Sequence, residues 1–136
     1  MSIPSEVKNL AERARRNARR AHAPYSHYQV GAVLRTESGG IFDGANIENA
    51  AFPLGFCAER VAFSLWRLQS DDPIAEVVVW TKSEPPAPPC GLCRDAIARL
   101  APAARVWLAG PSEVRGPFLV SDLIPTVGPD AQGDTK

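Results

Sequence analysis

Ile74-Ala75-Glu76-Val77-Val78-Val79-Trp80-Thr81 is the stretch that decides the architecture of this chain. A mostly apolar run of that length, rich in β-branched residues, reads as a central strand covered on both faces. Working outward, the segment before it carries Val61, Ala62, Leu65, Trp66 and Leu68 at helical spacing. That helix starts near Cys57, because Pro53 and Gly55 keep residues 53–56 out of helix, and Asp72-Pro73 breaks it. On the other side, Pro85-Pro86-Ala87-Pro88-Pro89 is incompatible with regular helix or central strand. It reads as a stiff loop that delivers Cys90 to a further helix, Cys90 to Leu100.

The remaining elements fall around this core. A first helix is expected from Ser5 to Ala21, stopped by Ala23-Pro24. Val30, Ala32 and Leu34 alternate with Gly31, Val33 and Arg35 as a strand, and Ser38-Gly39-Gly40 turns it into a partner from Ile41 to Ala45. Arg105 to Leu108 is a fourth strand and Phe118-Leu119-Val120 a candidate fifth. Helix, hairpin, then helix–strand–helix–strand describes an α/β layered sheet with helices on its faces.

The chain has 136 residues, the size of one domain with a real core. Lys+Arg and Asp+Glu are both 15, so the formal net charge is zero, which argues against a nucleic-acid partner. No apolar run is long enough to span a bilayer, and the N-terminus lacks the apolar core of a secretory signal. The expected compartment is the cytoplasm, where thiols stay reduced. Arg13, Arg15, Arg16, Arg19 and Arg20 resemble a presequence or a nucleic-acid arm. Val7, Leu10, Ala11, Ala14, Ala18 and Ala21 nevertheless form an apolar stripe opposite them, so the segment is expected to dock on the core as an amphipathic helix.

Cysteine placement carries the chemistry. Cys57, Cys90 and Cys93 are all the cysteines present, an odd number that a disulfide framework would leave with one unmatched. Three thiolates fill three of the four positions tetrahedral zinc prefers and leave one for water. Each cysteine stands at a predicted helix start, where unpaired N–H groups favour thiolate. Glu59, two residues after Cys57, falls on a different side of the turn and suits a proton carrier better than a fourth ligand. Three thiolates give the site a formal charge of −1 with zinc, so something must withdraw charge from sulfur; Arg60, then Arg94, are the candidates. Two plainer readings compete: a structural zinc site completed by His22 or His27, and a redox pair in Cys90-Gly91-Leu92-Cys93. Neither explains a carboxylate at 59.

Four ordered segments then resemble one family, the small homotetrameric zinc-dependent cytidine deaminases. They are Ala21-His22-Ala23-Pro24-Tyr25-Ser26-His27-Tyr28-Gln29-Val30-Gly31-Ala32, Gly44-Ala45-Asn46-Ile47-Glu48-Asn49-Ala50, Pro53-Leu54-Gly55-Phe56-Cys57-Ala58-Glu59-Arg60 and Pro89-Cys90-Gly91-Leu92-Cys93-Arg94. The resemblance runs from the first helix to about Pro125 and implies a three-layer α/β/α fold with a mixed, about five-stranded sheet. It implies a catalytic domain over 1–125, and the Gly-, Pro-, Asp- and Gln-rich tail over 126–136 is expected to be mobile. It also implies one Zn2+ per chain on Cys57, Cys90 and Cys93, and Glu59 as the proton carrier to N3 of the base and to departing ammonia. By the same likeness Asn46 and Glu48 hold the ribose, Ala58 and Tyr28 border the base, and Arg60 bonds the zinc thiolates. The implied reaction converts cytidine and deoxycytidine to uridine and deoxyuridine in pyrimidine salvage, in a homotetramer whose partner is a small nucleoside.

Three departures qualify the likeness. Asp95 stands where the family usually has Gln and adds negative charge after Arg94; Tyr28 replaces the usual Phe and adds a hydroxyl to the pocket wall. Leu123-Ile124-Pro125-Thr126-Val127-Gly128-Pro129 lacks the aromatic with which the family reaches a neighbouring subunit's base. These departures motivate a deaminase of another or modified cytosine nucleoside as the alternative. An inactive zinc-stabilised nucleoside-binding protein is the alternative from a different class.

Overall fold

The computed structural model describes residues 2–51, 54–89 and 91–123. The apolar run becomes the middle of a five-stranded sheet. The elements in chain order are α1 (Ser5–Ala18), β1 (Gly31–Thr36), β2 (Ile41–Ala45), α2 (Ala58–Gln69), β3 (Ile74–Trp80), α3 (Gly91–Leu100), β4 (Arg105–Ala109), β5 (Val114–Leu119) and α4 (Val120–Leu123). Strand order is β2-β1-β3-β4-β5. The sheet is mixed: β3 and β4 run parallel, joined through α3, and the other pairs are antiparallel.

Alternation along the strands sorts the core into two clusters. Val33, Val78 and Trp107 pack with Val7, Leu10, Ala11 and Ala14 of α1. Ala32, Leu34, Val77, Val79 and Val106 pack with Ala58, Ala62 and Phe63 of α2 and Ile97 of α3. Three layers result, with α1 on one face and α2, α3 and the short α4 on the other. The arginine-rich segment is an amphipathic helix docked on the core, as its stripe implies. Two glycines let the layers approach. A Cβ on Gly31 would lie 1.8 Å from the Ala14 carbonyl oxygen, and one on Gly44 would lie 2.1 Å from that of Ala58.

Some boundaries differ from the sequence reading. α1 ends at Ala18 rather than Ala21, because Arg19, Arg20 and Ala21 donate to Arg16, Asn17 and Ala18 in successive three-residue turns. β5 starts at Val114 and ends at Leu119, and Val120 already opens α4. Gly116-Pro117 hides that strand in the sequence. Proline is tolerated there because β5 is an edge. The tail over 126–136 lies outside the described residues, as does Val127.

Candidate active site

Cys57 is the N-cap of α2, and its sulfur accepts the backbone N–H of Arg60 at 3.4 Å. It is brought there by a short antiparallel bridge in which Ile47 and Phe56 exchange backbone hydrogen bonds of 2.9 and 2.8 Å. The same segment is pinned from its other side: His22 donates to the Asn46 carbonyl and Glu48 to the His22 carbonyl. Asn46, Glu48 and Cys57 are therefore set side by side by backbone pairing. Cys93 arrives from the first turn of α3, behind the C-terminal end of β3, and its Sγ donates to Cys57 Sγ at 2.6 Å. Sites at the carboxyl ends of strands are usual for sheets of this kind.

One ligand atom from each of Cys57, Glu59 and Cys93 falls within 4.8 Å of the others. Cys90 lies outside the described residues. No histidine joins this group among the described residues, so neither His22 nor His27 completes a structural site. Glu59 is only 3% exposed. Its carboxyl is pushed up to about 7, first by burial and then by the charge on Cys57. Cys57 is held down to about 6, chiefly by the hydrogen bond from Cys93, with Arg60 assisting. An acidified thiol, a second thiol and a buried carboxyl form a donor set suited to a borderline-soft divalent ion such as Zn2+. A bound cation would act on both groups by favouring their charged forms.

These groups lie on the wall of a cavity of about 710 Å³ that also takes in Tyr28, Asn46, Glu48, Phe56, Ala58 and Pro88. That volume suits a nucleoside-sized molecule. Asn46 uses its amide to hold the chain beside it: Oδ1 accepts from Val30 N at 2.8 Å and Nδ2 donates to Tyr28 O at 2.9 Å. One N–H and one lone pair of that amide stay available. Glu48 accepts from the backbone N–H groups of Tyr25 and Ser26 at 3.0 and 3.1 Å and from the Ser26 hydroxyl. The Ser26 hydroxyl, more than the backbone donors, holds the Glu48 carboxyl below the usual carboxylate range.

Arg60 stands next to the sulfurs, with Nη2 donating to Gly55 O at 2.6 Å and its guanidinium 5.6 Å from the Phe56 ring. Arg94 has partners of its own. Its Nε bonds Pro89 O at 2.8 Å and its Nη1 bonds Leu123 O at 2.6 Å, so it ties the loop before α3 to α4. Asp95 is corrected: it pairs with Arg99 one turn on at 2.9 Å, half exposed, so its charge stays in solvent. The Tyr28 hydroxyl bonds Ser83, which is not among the cavity's lining residues. Sequence reasoning missed Thr81, Ser83 and Pro88 around the site; their position just after a central strand was the available signal.

With this geometry in view, comparisons with known proteins converge. The model of the cytidine and deoxycytidylate deaminase zinc-binding region matches residues 4–109. A cytidine deaminase of Halalkalibacterium halodurans is 39% identical over 106 residues, covering 77% of this chain and 80% of the relative. One of Sporosarcina psychrophila is 39% identical over 95 residues, covering 68% of each. The crystal structure of cytidine deaminase from Burkholderia pseudomallei superposes with a TM-score of 0.82 at 35% identity, covering 88% of this chain and 97% of that one.

Proposed function

The chain belongs to the cytidine and deoxycytidylate deaminase family and hydrolytically deaminates cytidine with zinc as its metal, and we propose that Cys57, Cys90 and Cys93 hold the ion while Glu59 carries the protons. The convergence of Cys57, Glu59 and Cys93 within 4.8 Å on the cavity wall is the observation that carries this assignment. When bound, zinc supplies the Lewis acid that readies a water for attack. Glu59, withdrawn from solvent, takes a proton from the attacking water and places it on N3 of the ring, then takes the proton of the new C4 hydroxyl and delivers it to the amino group, which leaves C4 as ammonia. The Arg60 N–H groups draw charge from Cys57 and keep the thiolate set from being too electron-rich.

Asn46 and Glu48 are assigned to the sugar hydroxyls, using the donor and lone pairs their loop contacts leave over. Ala58 and the ring of Tyr28 are assigned to the base. Because the Tyr28 hydroxyl is engaged with Ser83, it adds no polar group to the cavity interior. That favours an ordinary cytosine nucleoside, and deoxycytidine is assigned as the second substrate. The reaction serves pyrimidine salvage in the cytoplasm, a compartment that keeps ligand thiols reduced. Assembly as a homotetramer is supported by large apolar side chains left exposed at the cavity mouth and on α2, Phe56 at 53% and Leu68 at 83% among them.

The test is loss of ultraviolet absorbance with cytidine, deoxycytidine and free cytosine side by side, on protein assayed for zinc. Turnover of both nucleosides and rejection of the free base is expected, since the polar groups assigned to the sugar would be left without their partners. Equal turnover of cytosine would overturn the roles of Asn46 and Glu48. Light scattering after size exclusion tests the assembly, and a fully active monomer would remove it.

A further inference from the structure

Tyr28 is held at every polar atom it possesses. Its N–H donates to Ser26 Oγ at 3.0 Å, its carbonyl accepts from Asn46 Nδ2 at 2.9 Å, and its hydroxyl bonds Ser83. Ser83 lies outside the cavity lining, on the loop that follows β3, whose Thr81, Ala87, Pro88 and Pro89 do line it. A second tie lies beside the first: Lys82 Nζ donates to His27 O at 3.2 Å and stands 5.8 Å from the Tyr28 ring. His27 has φ 58, a left-handed conformation that a residue with a Cβ keeps only when its surroundings impose it. The loop is folded on itself as well, with the buried Thr81 hydroxyl accepting from Ser83 N at 3.4 Å and Ala87 N at 3.5 Å.

We propose that Tyr28 and Ser83 form a latch between the turn before β1 and the loop after β3, and that they act as positioning residues that set the affinity of the cavity for its nucleoside. The latch rests on the substrate reading above. Its physical basis is preorganisation. A wall fixed before binding spares the ligand the ordering of two loops, and only one of the latch's two side chains touches the cavity.

Ser83→Ala and Tyr28→Phe each break the bond without removing ring or backbone. Each is expected to raise KM for cytidine about threefold to tenfold, the range of one hydrogen bond, with kcat within about twofold. The double variant should be no worse than either single, and Ser83→Thr should restore the wild-type KM. KM within twofold of wild type in both single variants overturns the proposal, as does a double variant whose losses multiply. A readout free of turnover is amide hydrogen exchange. Either variant should speed exchange in both 23–28 and 82–89, and faster exchange confined to the substituted segment also overturns the latch. If the unsubstituted chain turns over no cytidine, the substrate reading fails, and exchange alone decides the latch.

Discussion

Each face of the sheet buries one glutamate, and the two are held in opposite ways. Glu76, on the α1 face two residues from Val78, is 2% exposed. Its Oε2 accepts from Arg105 Nε at 2.9 Å and Trp107 Nε1 at 3.0 Å, and Arg35 Nη2 stands 3.8 Å from Oε1. Glu59, at the start of α2 on the other face, is equally buried but faces two sulfurs. Burial therefore does not tell the two carboxyls apart. The partners separate them: a buried carboxylate ringed by donors is a tie between strands, whereas at Glu59 burial, with the charge on Cys57 added to it, favours the protonated form.

Replacing each glutamate is the strongest way to break that comparison. Glu59→Gln should lower turnover of cytidine by on the order of 10²–10⁴ while zinc content and unfolding midpoint hold, because the role is proton transfer and the shape is kept. Unchanged turnover would remove Glu59 from the mechanism. Glu76→Ala should do the reverse, costing about 3 kcal/mol in denaturant unfolding with kcat per folded molecule unchanged. A loss of kcat there would join the two faces functionally.

The paired glycines sharpen the contrast at smaller amplitude. Gly31→Ala and Gly44→Ala each push a strand from a helix backbone and should each lose about 1–3 kcal/mol by overpacking. Only Gly44→Ala should also lower kcat/KM, since the carbonyl it strikes belongs to Ala58, next to Glu59. Equal kinetics in the two variants would show that the start of α2 tolerates displacement.

The smallest effect is a pH dependence on the α1 side. Arg13 forms two hydrogen bonds to Asp43, of 2.7 and 2.6 Å, and holds its carboxyl below the usual range. A folded pKa below the unfolded value means that this stability is fully present above about pH 3.9 and is lost as pH falls through the folded value. The urea midpoint should therefore fall in acid, less steeply in Asp43→Asn, and the loss should be modest for so exposed a pair. An identical acid slope in wild type and variant would assign that slope to other carboxylates.

Much of this was legible in residue order. The run from Ile74 announced the central strand, and the stripe from Val7 to Ala18 announced the docked helix, because periodicity records which side of an element meets the core. Cys57 and Glu59 were legible for a different reason: few functions need a carboxyl two residues from a thiol at a helix start. Val114 to Leu119 was hidden because edge strands admit proline, and an edge exists only once the other strands have been placed. Asp95 misled, and Arg94 makes contacts the sequence did not suggest, because adjacency along the chain says little about direction on a helix. One side chain turned to the Pro89 and Leu123 carbonyls and the other outward to Arg99.

What the sequence determined by itself, then, was the set of elements, the thiols and the carboxyl, since periodicity and residue chemistry are local. Which groups meet was decided only by the tertiary structure. The Ile47–Phe56 bridge set Asn46 and Glu48 beside Cys57, α3 brought Cys93 to it, and Ser83 met Tyr28 across the cavity wall. The last two join residues far apart in the chain, and all three depend on how two loops and two helix ends close around one end of β3. No local pattern encodes such a meeting, because it is fixed by backbone pairing and packing across the whole sheet.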